Sequence, residues 1–279
     1  MIQIIWEFNV KPEFVTAFSE TYGPDGPWVE LFRSHAGFVS TSLLTPASGH
    51  RFFTIDRWQS EAHFTAMHNA ARADYERIDG LAAEWTKSEK RLGVFRSDRR
   101  FILVSGLPGA GKTFVASRIA PLLMLPIIDK DDLLEALFEA RDSGVINLPT
   151  RRALSRASDE LMKRAAIVSD GAILSSFWHV QGMMRDSGTP TAWVPEISTN
   201  VVNLHCVCPA DLAAQRFVER TRHPGHGDDA RTAEDIKKEF RTLEMLGPPQ
   251  CGPRIDVDTA GPIQAEVVTK AVENALAAL

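Results

Sequence analysis

The chain has 279 residues, 44% of them hydrophobic, which is enough for two packed domains. Its 31 basic and 36 acidic residues leave a net charge of −5, which excludes a global electrostatic pull toward nucleic acid or anionic membrane. Three cysteines cannot build a disulfide framework and no apolar run is long enough to span a bilayer, so the expected location is a reducing cytoplasm.

In chain order, Ile2, Ile4, Trp6, Phe8 and Val10 alternate with mostly polar neighbours, which predicts a half-buried strand over 2–10 and no signal-peptide layout. Pro12 can open a helix that carries Phe14, Phe18 and Tyr22. Gly23-Pro24-Asp25-Gly26-Pro27 breaks the chain, and a short segment from Trp28 to His35 follows. Strands fit 38–44 and 51–58. Ser60 can cap one helix with Phe64, Met67, Ala71, Tyr75 and Ile78 on a single face. Residues 81–89 are ambiguous, and a last strand fits near 90–95. The order β-α-β-β-α-β predicts an α+β ferredoxin-like unit over residues 1–97.

Arg96-Ser97-Asp98-Arg99-Arg100 reads as a solvated linker. Beyond it, strands fit 101–105, 125–129, 171–176, 201–207 and 254–258. Helices fit 111–120, 131–140, 150–169, 209–222 and 230–245. This alternation predicts an α/β unit over 98–279, a parallel sheet with helices on both faces. Cys206 and Cys208 lie on one apolar segment and read as core thiols, since two ligands do not make a zinc site.

Gly106-Leu107-Pro108-Gly109-Ala110-Gly111-Lys112-Thr113 matches the phosphate-binding P-loop pattern in full, between a strand and a helix. Successive amides there can face one phosphate chain at the positive end of a helix. Lys112 would reach the β- and γ-phosphates and the Thr113 hydroxyl would ligate Mg²⁺. Asp129 and Asp131 end the second strand, where ligands of such sheets bind. One acid can hold the metal or take an acceptor proton, while Asp131 or Asp132 can cap the next helix. Arg216 and Arg220 are four apart on the expected helix, and with Arg222 they can neutralise phosphoryl charge or form surface ion pairs. His223-Pro224-Gly225-His226 reads as a flexible lid tip. Ser175 or Ser176 stands on the third strand where many P-loop enzymes carry an acid.

These motifs together resemble the P-loop kinase-like ATPases that include chloramphenicol phosphotransferase and the zeta-toxin kinases. The resemblance rests on the P-loop, on Lys130-Asp131-Asp132-Leu133-Leu134-Glu135-Ala136-Leu137-Phe138, on Arg222 to His226 and on Asp256-Val257-Asp258-Thr259. It implies ATP- and Mg²⁺-dependent phosphorylation of a small-molecule hydroxyl, with Asp258 and Thr259 near the adenine. Phe53 to Ser60 and the helix bearing His68 are similar to the antibiotic-biosynthesis-monooxygenase-like domains of the dimeric α/β-barrel superfamily. That resemblance implies a homodimer through residues 1–95. Some members of that group degrade haem with an Asn–Trp–His set; Asn9 could match it, but Trp58 belongs to the strand before the helix.

The leading expectation is therefore a small-molecule kinase with a dimerising or ligand-sensing first domain. An ATP-binding regulator with little turnover and an ATP-regulated, cofactor-independent monooxygenase are the alternatives. No nucleic acid or membrane partner is expected.

Overall fold

A computed structural model of the chain describes all residues except 97, 142–145 and 229–230. It divides into two compact units, Met1–Asp98 and Arg99–Leu279. The first residue of the helix expected over 230–245 and part of the segment between the second and third helices of unit 2 lie outside the described residues.

Unit 1 contains β1 (Ile2–Val10), α1 (Val15–Tyr22), α2 (Pro27–Arg33), β2 (Phe38–Leu44), β3 (Arg51–Trp58), α3 (Glu61–Ala70), α4 (Arg72–Ala82) and β4 (Thr86–Arg96). The strands form one antiparallel sheet in the order β2-β3-β1-β4, so the ferredoxin-like expectation holds. Period-2 alternation puts Ile4, Phe8 and Trp58 against Phe18, Met67 and Ile78 in one core. The segment from Trp28 is a helix, α2, with Pro27 at its first turn where a missing N–H costs nothing. The single helix expected after Ser60 is two. At Ala71 the backbone leaves helical geometry (φ −111°, ψ 26°), yet Met67, Ala71 and Ile78 all reach the core. The ambiguous stretch 81–89 is divided: α4 ends at Ala82, a turn covers 83–85, and β4, longer than expected, pairs with β1 from Thr86 to Arg96.

Unit 2 contains β5 (Arg100–Ser105), α5 (Lys112–Leu123), β6 (Ile127–Asp129), α6 (Lys130–Glu139), α7 (Leu148–Val168), β7 (Gly171–Ser175), α8 (Val194–Ile197), β8 (Val201–Val207), α9 (Ala210–Glu219), α10 (Ala233–Leu246), β9 (Arg254–Asp258) and α11 (Ala265–Ala277). All strand pairs are parallel, in the order β6-β7-β5-β8-β9. One core lies under α5, α9, α10 and α11, and a second lies on the opposite face around Phe101, Leu103, Met162 and Trp178. The sequence reading missed α11, although Val268 and Val272, four residues apart, are both buried.

The supposed linker is not wholly solvated. Arg99 is 3% exposed, and its guanidinium donates to the carbonyls of Ser169 at 2.9 Å and Ile167 at 3.0 Å, and to that of Ala166. It closes the C-terminal end of α7, where the last carbonyls lack helical partners and the helix dipole is negative.

Candidate nucleotide and phosphoryl-transfer site

The sheet order brings the carboxyl ends of β5, β6 and β7 side by side, and the loop Gly106–Gly111 joins β5 to α5 at that edge. Gly109 (φ +80°) and Gly111 (φ +84°) hold left-handed backbone there. At Gly109 a Cβ would come within 2.2 Å of the Ala213 carbonyl oxygen, so only glycine fits. The amides of Gly109, Gly111, Lys112 and Thr113 have no hydrogen-bond acceptor among the described residues. Orphan amides at a helix N-terminus fit an anion. The Lys112 ammonium folds back to donate to the carbonyls of Gly106 at 3.1 Å and Leu107 at 3.0 Å. Burial lowers its pKa from the ordinary lysine value.

A cavity of about 460 Å³ opens over this loop, lined by Lys112, Thr113, Asp129, Asp131, Ser175 and Arg220 among others. The Thr113 hydroxyl donates to Asp129 Oδ2 at 2.9 Å. The other Asp129 oxygen accepts from the Asp131 amide at 2.9 Å. Asp129 thus caps α6, which begins at Lys130, and the expectation that Asp131 or Asp132 does so is corrected. Ser175 is 1% exposed and lies directly across from Asp129 in the β6–β7 register. The acid missing from β7 is therefore present one strand over, beside the threonine hydroxyl. Thr113 and Asp129 offer two neighbouring oxygen ligands, which suits Mg²⁺.

Asp131 is differently engaged. Its Oδ2 accepts from Arg222 at 2.5 Å, and Arg222 also reaches Asp228 at 3.1 Å. Burial raises the Asp131 carboxyl, but Arg222 and His226 more than offset this, so it lies below the ordinary carboxylate range.

The basic cluster departs from expectation in two ways. First, α9 ends at Glu219, so Arg220 and Arg222 stand in the following loop and do not share a helix face with Arg216. Arg216 turns to the carbonyls of Thr259 at 2.8 Å and Ala260 at 3.2 Å. Arg220 lies 4.6 Å over the Phe217 ring, faces the cavity and pairs with no carboxylate among the described residues. Second, Pro224–His226 is an ordered 3-10 turn and not a loose tip. Phe138 of α6 stacks on His223 (5.2 Å, 19°) and meets His226 edge-on (5.3 Å). His226 Nε2 lies 2.9 Å from Glu135 Oε1, and Arg151 donates to the Gly225 carbonyl at 2.8 Å.

Asp258 ends β9 and Thr259 follows it, and neither lines the 460 Å³ cavity. Thr259 instead donates its amide and hydroxyl to the Val207 carbonyl, and its Cβ lies 3.9 Å from where a Gly111 Cβ would stand. Gly106 and Leu107 line a separate cavity of about 80 Å³. Ser155, Asp228 and Arg231 are among the lining residues that the sequence reading missed. Of these only Asp228 and Arg231 had a signal, their proximity to the arginine cluster. In unit 1, Trp58 is fully buried and Asn9 is exposed at the far end of the β1–β3 register, so they do not assemble with His68.

A proposed kinase from Chloroflexus aurantiacus has a similar fold, with a TM-score of 0.52 at 23% identity over 64% of this chain and 98% of its own. A sugar kinase from Janibacter sp. matches over 64% and 95%, with a TM-score of 0.39 at 20% identity. A proposed antibiotic biosynthesis monooxygenase from Nitrosomonas europaea matches over 34% and 97%, with a TM-score of 0.30 at 19% identity. No curated protein matches the chain. Residues 1–73 match the family model for antibiotic biosynthesis monooxygenase, and residues 101–243, just over half of the chain, match that for the AAA domain. The chain therefore belongs to the AAA domain family, with a monooxygenase-like domain preceding the matched segment.

Proposed function

We propose that the chain is an ATP-dependent phosphotransferase acting on a hydroxyl of a small molecule. The observation that carries this reading is the convergence, in one cavity, of loop amides without an acceptor and of Arg220 without a carboxylate among the described residues, together with Lys112 and the Thr113–Asp129 contact. The loop amides and Lys112 would hold the β- and γ-phosphates. Thr113 and Asp129 would hold Mg²⁺, which when bound neutralises phosphate charge. Arg220 and Arg222 would meet charge on the transferring group. Asp131, already bound to Arg222, is proposed to anchor the lid arginine and not to serve as the base, because a carboxylate held below its ordinary pKa is a weak proton acceptor. In the transfer, the acceptor oxygen bonds to the γ-phosphorus, the bridge to the β-phosphate breaks, and the hydroxyl proton leaves toward a carboxylate.

Purified protein with Mg²⁺ and a panel of sugars, nucleosides and hydroxylated antibiotics is expected to release ADP in response to one acceptor class. Lys112→Ala is expected to lose ATP binding; unchanged affinity and turnover in that variant would sink the assignment. A regulatory reading draws support from Ser175 alone, and tight ATP binding with no acceptor-stimulated ADP release would favour it. Unit 1 is proposed to recognise a ligand and to dimerise. Its sheet face away from the helices carries Ile5, Phe53 and Ile55, and sedimentation of the full chain tests the dimer.

A further inference from the structure

In an antiparallel sheet, residues directly opposite one another share a face. In unit 1 the face covered by helices is therefore marked by the buried Ile4 and Phe8. Asp56 lies opposite Ile4, Thr41 lies opposite Asp56, and Glu89 lies opposite Phe8. Asp56 thus occupies a position where a packed core calls for an apolar side chain, and Glu89 brings a second carboxyl to the exposed edge of the same face. A buried acid is a structural error unless something uses it.

They surround a small cavity of about 30 Å³, which Asp56 and Glu89 line together with Asp79 of α4. Its walls are aromatic. Phe8, Tyr22, Trp28 and Tyr75 form a run with ring centroids 5.0, 6.0 and 4.7 Å apart. Asp56 is 8% exposed and accepts one hydrogen bond, from Thr41 at 2.7 Å. The indole nitrogen of Trp28, 5% exposed, makes no well-formed hydrogen bond among the described residues, its polar neighbour being the Tyr22 hydroxyl. At the exposed rim, Asp79 and Glu89 neither hydrogen-bond nor pair with a cation among the described residues. Trp6 and Tyr75 also line an outer groove of about 380 Å³ with Phe64 and His68. Arg91 lines that groove and not the inner cavity.

We propose that unit 1 binds a small hydroxylated amine, its ammonium seated among Asp56, Asp79, Glu89 and the aromatic rings and its apolar remainder lying in the outer groove. An ammonium suits both components of the cage, because carboxylates and ring faces each attract a cation. The inner cavity has room for an ammonium head and little more. The Trp28 N–H and the neighbouring Tyr22 hydroxyl offer donors to an oxygen acceptor on the ligand. Burial and the neighbouring Asp79 both push the Glu89 carboxyl above its ordinary range, a repulsion that a bound cation relieves. This inference rests on reading unit 1 as a ligand-recognising domain and adds the chemical class.

The test is calorimetric titration of the full chain with three compounds of one skeleton: 2-amino-1-phenylethanol, 1-phenyl-1,2-ethanediol and mandelate, which are cationic, neutral and anionic. The amine is expected to bind at least about tenfold more tightly than the diol, and mandelate least. Asp56→Asn and Asp79→Asn are each expected to erase most of that preference without loss of thermal stability and with ATP binding in unit 2 unchanged. Equal or tighter binding of the diol or mandelate overturns the cation assignment but keeps a ligand site. Binding of none of the three overturns the ligand-recognition reading as well.

Discussion

Asp56→Asn is also the sharpest probe of the energetics of unit 1. Burial raises the Asp56 carboxyl from 3.8 to about 6, against the smaller lowering effects of the Thr41 hydroxyl and Arg57. An acid with a raised folded-state pKa holds its proton more tightly folded than unfolded. Stability from this group is therefore full below about pH 4, declines as pH rises to about 6, and stays low above it. Roughly two pKa units correspond to about 3 kcal/mol. Asparagine has nearly the same shape, keeps an oxygen for Thr41 and carries no charge. The variant is expected to gain up to about 3 kcal/mol at pH 7.5 and almost nothing near pH 4. At a urea dependence of about 1.5 kcal/mol per molar, the midpoint at pH 7.5 moves up by about 2 M. Pulsed hydrogen exchange through a urea series, read on peptides from β3, isolates unit 1 from unit 2. Equal midpoint shifts at both pH values, or a loss at pH 7.5, would refute the reasoning.

Two further predictions concern unit 2. Asp129→Asn is expected to lower kcat by about 10²- to 10⁴-fold, and Asp131→Asn by much less, with its main effect on KM; the reverse order in steady-state kinetics would return the acid role to Asp131. Gly225→Ala would place a Cβ 2.5 Å from the Phe138 ring, so a loss of about 1–3 kcal/mol is expected; an unchanged thermal midpoint would mean that the clasp yields freely.

The P-loop could be read from its residues because its glycines and lysine answer to local backbone geometry and to a helix end adjacent in sequence. β3 shows period-2 alternation and β8 is a nearly continuous buried run; these short apolar segments, with β2 and β9, fall where the sequence put them. The division of labour between Asp129 and Asp131 could not be read, because it depends on Arg222, which is 91 residues from Asp131. Ser175 alone suggested a missing acid. Only the β6–β7 register shows Asp129 beside it. The lid motif read as loose because proline and glycine dominate it locally, yet Phe138, far upstream, orders it from outside. Asp56 looked like one polar residue in an alternating strand, and only pairing with Ile4 reveals which face it occupies.

Arg99 bears on where the chain can be cut. The segment matched to the AAA domain begins at residue 101, an obvious place to start an isolated catalytic fragment. A fragment starting there would lack the guanidinium that serves the carbonyls of Ala166, Ile167 and Ser169. Those carbonyls close α7, whose Asp159 pairs with Lys130 at 2.6 Å, next to the capping aspartate of the site. The useful boundary is thus drawn by a side chain upstream of the first strand, and a fragment beginning at Asp98 preserves it.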